Sequence, residues 1–219
     1  MTKIFEKGLN NFTTAVVGKN FTSDTSYMVG YWEAGDILID TAIKQVNPLK
    51  DRLFFPICYN YRHFIELCLK HLILKSEKLY LILEEHNMQN KNLKQKLSDE
   101  INNTHNIHTL LYWLINILEC ISDDKFSKEI MNFILEYHNM DKNGQKFRYP
   151  RTKDDVAHFE LREEFDLEKI KNAVTKLGNY LLGIDMYLSE HGSFIKTYIS
   201  EMESLYDWQY DHQEDYYYQ

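Results

Sequence analysis

Apolar residues recur at helical spacing along most of the chain, most densely from Tyr59 to Leu74 (Y-N-Y-R-H-F-I-E-L-C-L-K-H-L-I-L). At about 100° per residue, Phe64, Ile65, Cys68, Leu69, Leu72 and Ile73 cover about half the circumference, as in a helix at the middle of a bundle. The rest is not simply solvent-facing. Arg62, Glu66 and Lys70 follow one another at i,i+4 beside His63, a stripe that either ties the helix to its neighbours or points into a site. Each such pair adds only about 0.2–0.5 kcal/mol and needs no function to explain it.

The other elements follow from the same periodicity. Tyr27, Tyr31, Ala34, Leu38 and Ala42 predict a helix from Ser23 or Asp24 to Val46, ended by Asn47-Pro48. Proline is tolerated at the first position of a helix but not inside it, so the central helix is expected to start near Pro56 and to run to about Glu85. Residues 1–22 carry a weak pattern broken by Gly8 and Gly18, which predicts a short helix. Residues 86–103 are too rich in Asn, Lys and Gln for a core and read as a solvated connection with one helical turn. Thr104 or Asn106 can cap a helix over 107–121, and a fourth run (Phe126, Ile130, Phe133, Ile134, Tyr137) ends in turn chemistry at Asn139 to Gly144. Residues 146–161 break the pattern as a small hairpin or ordered loop. Asp166 then caps a long helix (Ile170, Val174, Leu177, Leu181, Ile184, Leu188) that Gly192 is expected to close. A further run through Ile195, Tyr198, Ile199, Met202 and Leu205 fades into an acidic, Tyr-rich tail.

Composition narrows the class. With 3 Pro and 8 Gly in 219 residues, the chain reads as an all-α bundle in a single domain, 1–219. The net charge of −8 gives no global attraction to nucleic acid, so any such contact must rest on a local basic patch. One is offered by K-F-R-Y-P-R-T-K at 146–153, where Lys146, Arg148, Arg151 and Lys153 alternate with Phe147 and Tyr149, a mixture that grips phosphate while stacking a base. The alternative is a solvated loop in which Arg148 pairs with Glu66. His105 and His108 have spacing for two metal contacts, but no Cys or carboxylate cluster accompanies them, so no metal and no cofactor is assigned. Gly-rich phosphate loops, G-x-S-x-G and H-E-x-x-H are absent. Cys58, Cys68 and Cys120 fit no disulfide or zinc framework and read as core thiols in a reducing compartment. No apolar run approaches the roughly 20 residues of a membrane span, and the N-terminus lacks a signal-peptide pattern, so a soluble cytoplasmic protein is expected.

Three signatures in order, Y-R-H-F-I-E-L-C-L-K at 61–70, T-H-N-I at 104–107 with Leu110, and F-R-Y-P at 147–150, resemble the HEPN family (higher eukaryotes and prokaryotes nucleotide-binding), in the branch marked by E-L-x-L-K, T-H-x-L and R-Y-P-D. Glu66, Lys70, His105, Arg148 and Tyr149 are the matching positions. The resemblance covers roughly 56–190, leaving N-terminal helices in 1–50 and a C-terminal helix with its tail in 193–219 outside. It departs at Arg151, which stands where that branch has an acid. It implies a HEPN-like bundle in which the three segments meet at one end to bind RNA or a nucleotide. The implied function is an RNA-directed effector, a metal-independent endoribonuclease of a bacterial toxin or phage-defence system. A non-catalytic module binding a nucleotide, RNA or protein is the alternative. The nuclease branch carries Arg and His four to six residues apart, and Arg151 and His158, with six between them, fit that count. Such bundles bury a helical face against a copy of themselves, so the abundant apolar surface of 59–74 and 107–121 leads to the expectation of a homodimer. A partner protein such as an antitoxin is also implied.

Overall fold

A computed structural model describes residues 14–18, 23–45, 48–94, 97, 98, 100–159 and 161–217, with side chains as far as Trp208. In order, the described elements are α1 (Asp24–Ile43), α2 (Leu49–Glu85), a 3-10 turn (Ile101–Asn103), α3 (Ile107–Ile121), α4 (Lys128–Met140) and α5 (Leu167–Tyr217). Among the described residues there is no strand. The 146–161 segment holds a single antiparallel bridge, Arg151 to Ala157. The fold is all-α. The helix expected in 1–22 lies mostly outside the described residues, and 14–18 is not helical.

The 59–74 stretch occupies the centre as its periodicity requires. Phe64, Ile65, Leu69, Leu72 and Ile73 are almost wholly buried, and α2 packs against α1, α3 and α5. Each such side chain contributes about 1.5–3 kcal/mol of burial. Two glycines let the helices close. A Cβ on Gly35 of α1 would lie 2.4 Å from the Tyr61 ring, and one on Gly178 of α5 would lie 2.6 Å from Trp32. Trp32 in turn stacks on Phe64 at 5.1 Å, and Tyr61 donates its hydroxyl to Asp36 at 2.6 Å. All three cysteines are free and buried.

Local signals misplace two helix boundaries. α2 begins at Leu49, not near Pro56, and Pro56 lies inside it. Lacking an N–H, Pro56 cannot serve the Arg52 carbonyl. The first turns persist because Phe54 is buried, stacking on Phe165 at 4.6 Å and meeting Phe147 edge-on. At the other end Gly192 does not close α5, which continues to Tyr217. Leu188 and Ile195 on either side of it are buried, so packing carries the helix through. The 86–103 connection is also less solvated than its composition suggests. Leu97 and Ile101 are buried, and Glu77 accepts the N–H groups of Leu97 (2.6 Å) and Ser98 (3.2 Å). The remaining caps follow the sequence: Asn106 receives His108 and Thr109 N–H, and Asp166 receives those of Glu168 and Lys169.

Candidate functional site

The Arg62, Glu66, Lys70 stripe of α2 is the seat of the site. Arg62 and Glu66 are buried, at 3% and 4% exposure, which a stripe of solvated ion pairs would not show. Arg62 uses all three of its nitrogens: Nη1 donates to Glu66 Oε2 (3.1 Å), Nη2 to the His105 carbonyl (2.7 Å) and Nε to the Asp141 carbonyl (3.1 Å). The Asp141 carboxylate stands 3.7 Å from Nε. One guanidinium thus joins α2 to the loop before α3 and to the turn after α4. Gly144, with φ +68°, lies against it, since a Cβ there would be 3.3 Å from Arg62 Cζ. Asp141 also holds that turn together by accepting Gln145 and Lys146 N–H (2.8 and 3.1 Å).

The other oxygen of Glu66 faces outward. Oε1 meets Lys70 Nζ at 3.0 Å and His105 Nδ1 at 2.8 Å. Burial alone would raise the Glu66 carboxyl, but the hydrogen bonds from His105 and Lys70 outweigh it and hold the pKa below the usual carboxylate value. A carboxylate that stays ionised favours the Nδ1–H tautomer of His105, leaving Nε2 as acceptor. The His105 side chain is 70% exposed, so Nε2 is open to solvent.

Along the same face of α2, Tyr59 stacks on His63 at 5.8 Å and Tyr31 meets His63 edge-on at 4.4 Å. Burial, joined by the Arg62, Lys70 and His105 charges, lowers the His63 pKa against the pull of Glu66. The Arg148 guanidinium lies 6.0 Å from the Tyr59 ring and 5.4 Å from the Tyr149 ring. Its Nε donates to the Gly144 carbonyl at 2.7 Å. Arg148, Tyr59, His63, Lys70 and His105 therefore form one continuous cationic and aromatic face, and His108 with His138 (rings 5.2 Å apart) adds imidazoles beyond it. The Arg148–Glu66 pair considered from the sequence does not form; Arg62 takes that place.

Arg151 and His158 lie on facing arms of one small loop, where Arg151 bridges Ala157 and the His158 N–H donates to the Pro150 carbonyl at 3.1 Å. Arg151 Nη1 donates to the Asp155 carbonyl (2.9 Å) and pairs with its carboxylate (3.3 Å) within its own loop. The Nε2 of His158 is buried and has no hydrogen-bond partner among the described residues. Sequence reasoning placed Glu66, Lys70 and His105 together, and they touch. It did not assign Tyr59, His63 or Asp141 to the site. Tyr59 and His63, four residues apart and each three before a member of the stripe, were readable on its flank, whereas nothing in M-D-K-N-G-Q distinguishes Asp141 from an ordinary turn residue.

Among the described residues no group of three His, Cys, Asp or Glu side chains is placed to hold a metal ion, and no helix is long and apolar enough to cross a membrane. Comparison with family models, with curated proteins and with solved structures finds no match to this chain.

Proposed function

We propose that the protein is a HEPN-like, RNA-directed effector that cleaves single-stranded RNA without a metal ion, as in bacterial toxin and phage-defence systems, with His105 as the general base. The observation that carries this reading is the shared oxygen: Glu66 Oε1 holds both the exposed His105 and Lys70. In the proposed reaction His105 Nε2 takes the proton of a ribose 2′-OH, and the freed oxygen attacks the adjacent phosphorus to form a 2′,3′-cyclic phosphate. The bond to the 5′ oxygen breaks, and that oxygen takes a proton from water. Lys70 is placed to offset charge developing on the phosphoryl oxygens, while Arg148 grips a neighbouring phosphate and Tyr149, 52% exposed, stacks a base. Glu66 acts through His105 as a positioning residue. Arg151 and His158 have no part in this scheme.

A second reading has its own support. Arg62, whose guanidinium reaches the His105 carbonyl, is buried and turns three of its five N–H groups to protein acceptors, which makes it a structural cation more than one open to a transition state. That favours a non-catalytic module binding RNA or a nucleotide on the same face. Incubation of the full chain with labelled single-stranded RNA in EDTA separates the two. Cleavage to cyclic-phosphate ends, abolished in His105→Asn with helix content unchanged, supports the nuclease. Binding without cleavage leaves the module, and neither binding nor cleavage rejects the nuclease and an RNA-binding module alike.

A further inference from the structure

α5 carries two stripes. Leu181, Leu188 and Ile195 are buried in the bundle. About 100° around the helix, Tyr187, His191, Phe194, Tyr198, Glu201 and Leu205 recur at 4,3,4,3,4 spacing. This second stripe faces away from the core: Phe194 is 65%, Leu205 56% and Tyr198 43% exposed, and Tyr187 stacks on His191 at 5.3 Å. Alternating steps of four and three are those of a helix–helix seam. α2 offers no comparable face, since no residue of 59–74 is exposed. The apolar surplus expected there is taken up inside the chain.

We propose that a second copy of this chain docks antiparallel along this stripe of α5. The order of the stripe reads the same in both directions about position 196. In an antiparallel two-fold pair Tyr187 faces Leu205, Phe194 faces Tyr198, and His191 faces Glu201, each contact occurring twice as an isologous interface requires. Parallel pairing instead sets Glu201 against Glu201. It also lays side by side two segments bearing Glu201, Glu203, Asp207, Asp211, Glu214 and Asp215, with no Lys or Arg after Lys196. Space allows the antiparallel arrangement. Phe54 lies by Phe165, His71 by Asp185 and Leu79 by Gly192, so α2 and α5 run in the same direction. Because α2 ends at Glu85, α5 passes its end near Tyr198, and the two bundles sit at opposite ends of the paired helices.

Sedimentation equilibrium of the full chain tests this. A dimer is expected. His191→Glu places like charges across the seam and should weaken it about tenfold or more, with helix content unchanged, and adding Glu201→Lys to the same chain should restore it. Orientation is read separately by mixing a Tyr187→Cys chain with a Leu205→Cys chain under oxidation, the native cysteines being buried; the mixed disulfide should dominate. A monomer at about 100 µM, where a dimer of micromolar affinity would be saturated, overturns the proposal. So does a dimer that the double substitution fails to restore, or cysteine variants that cross-link only to themselves.

Discussion

At the scale of single residues, Arg62 is the most consequential position, because three segments meet on it. Arg62→Ala leaves the buried Asp141 carboxylate without its cation and Glu66 with Lys70 and His105 alone, and removing one partner of a buried pair costs about 3–5 kcal/mol. Urea denaturation should show a loss of that size, whereas Lys70→Ala, which leaves Glu66 paired with Arg62 and His105, should cost less. Gly35→Ala should also destabilise, since its Cβ would overlap the Tyr61 ring. Titration adds a second readout. His63 and His138 have pKa values lowered from 6.5, chiefly by burial. The unfolded chain therefore binds their protons first, and the stability they contribute is whole above pH 6.5 and falls as the pH drops towards their folded values. Glu66 and Asp185 have pKa values lowered from 4.5 and 3.8: burial opposes the shift, and hydrogen bonds from His105 and Lys70, and from Lys75 and His71, outweigh it. Their contribution persists above those values and is lost only on further acidification. The denaturation midpoint should therefore fall in two steps, and His63→Phe should flatten the first.

At the scale of elements, apolar periodicity made every described helix readable, and the errors arose where a single residue was given priority over packing. Pro56 was read as a start because a proline inside a helix removes a hydrogen bond, yet burial of Phe54 against Phe147 and Phe165 holds the preceding turns. Gly192 was read as a stop because glycine suits a helix C-terminus, yet Leu188 and Ile195 continue the buried stripe across it. The correction is testable. A Cβ at Gly192 would meet only Leu79 Cδ1, at 3.9 Å, an ordinary contact. Within a continuous helix Gly192→Ala should stabilise by about 0.5–1 kcal/mol, raising the thermal midpoint and the helical circular dichroism signal together. A helix ending there in the left-handed conformation would be destabilised by the same change.

At the scale of the whole molecule, the charge is segregated. A chain of net charge −8 sets Lys70 and His63 on one face of α2 with His105 and Arg148 against it, while the acidic residues after Lys196 lie along the C-terminal part of α5. The order of the motifs was enough to place Glu66, Lys70 and His105 in one site, because α2 and α3 were both legible. Asp141 stayed hidden, since its role depends on which buried cation its turn folds over, and no local pattern carries that information. The account rests on RNA lying along this face, and fluorescence anisotropy of a labelled single-stranded RNA over a salt series tests it most directly. Each phosphate contact contributes about 0.7 to the slope of log affinity against log salt. Lys70→Ala with Arg148→Ala should weaken binding and lower the slope by about 1.4, while Lys176→Ala, paired with Glu129 on another face, should leave both unchanged. Affinity and slope that survive the loss of Lys70 and Arg148, or an absence of RNA binding by the unaltered chain, would contradict it.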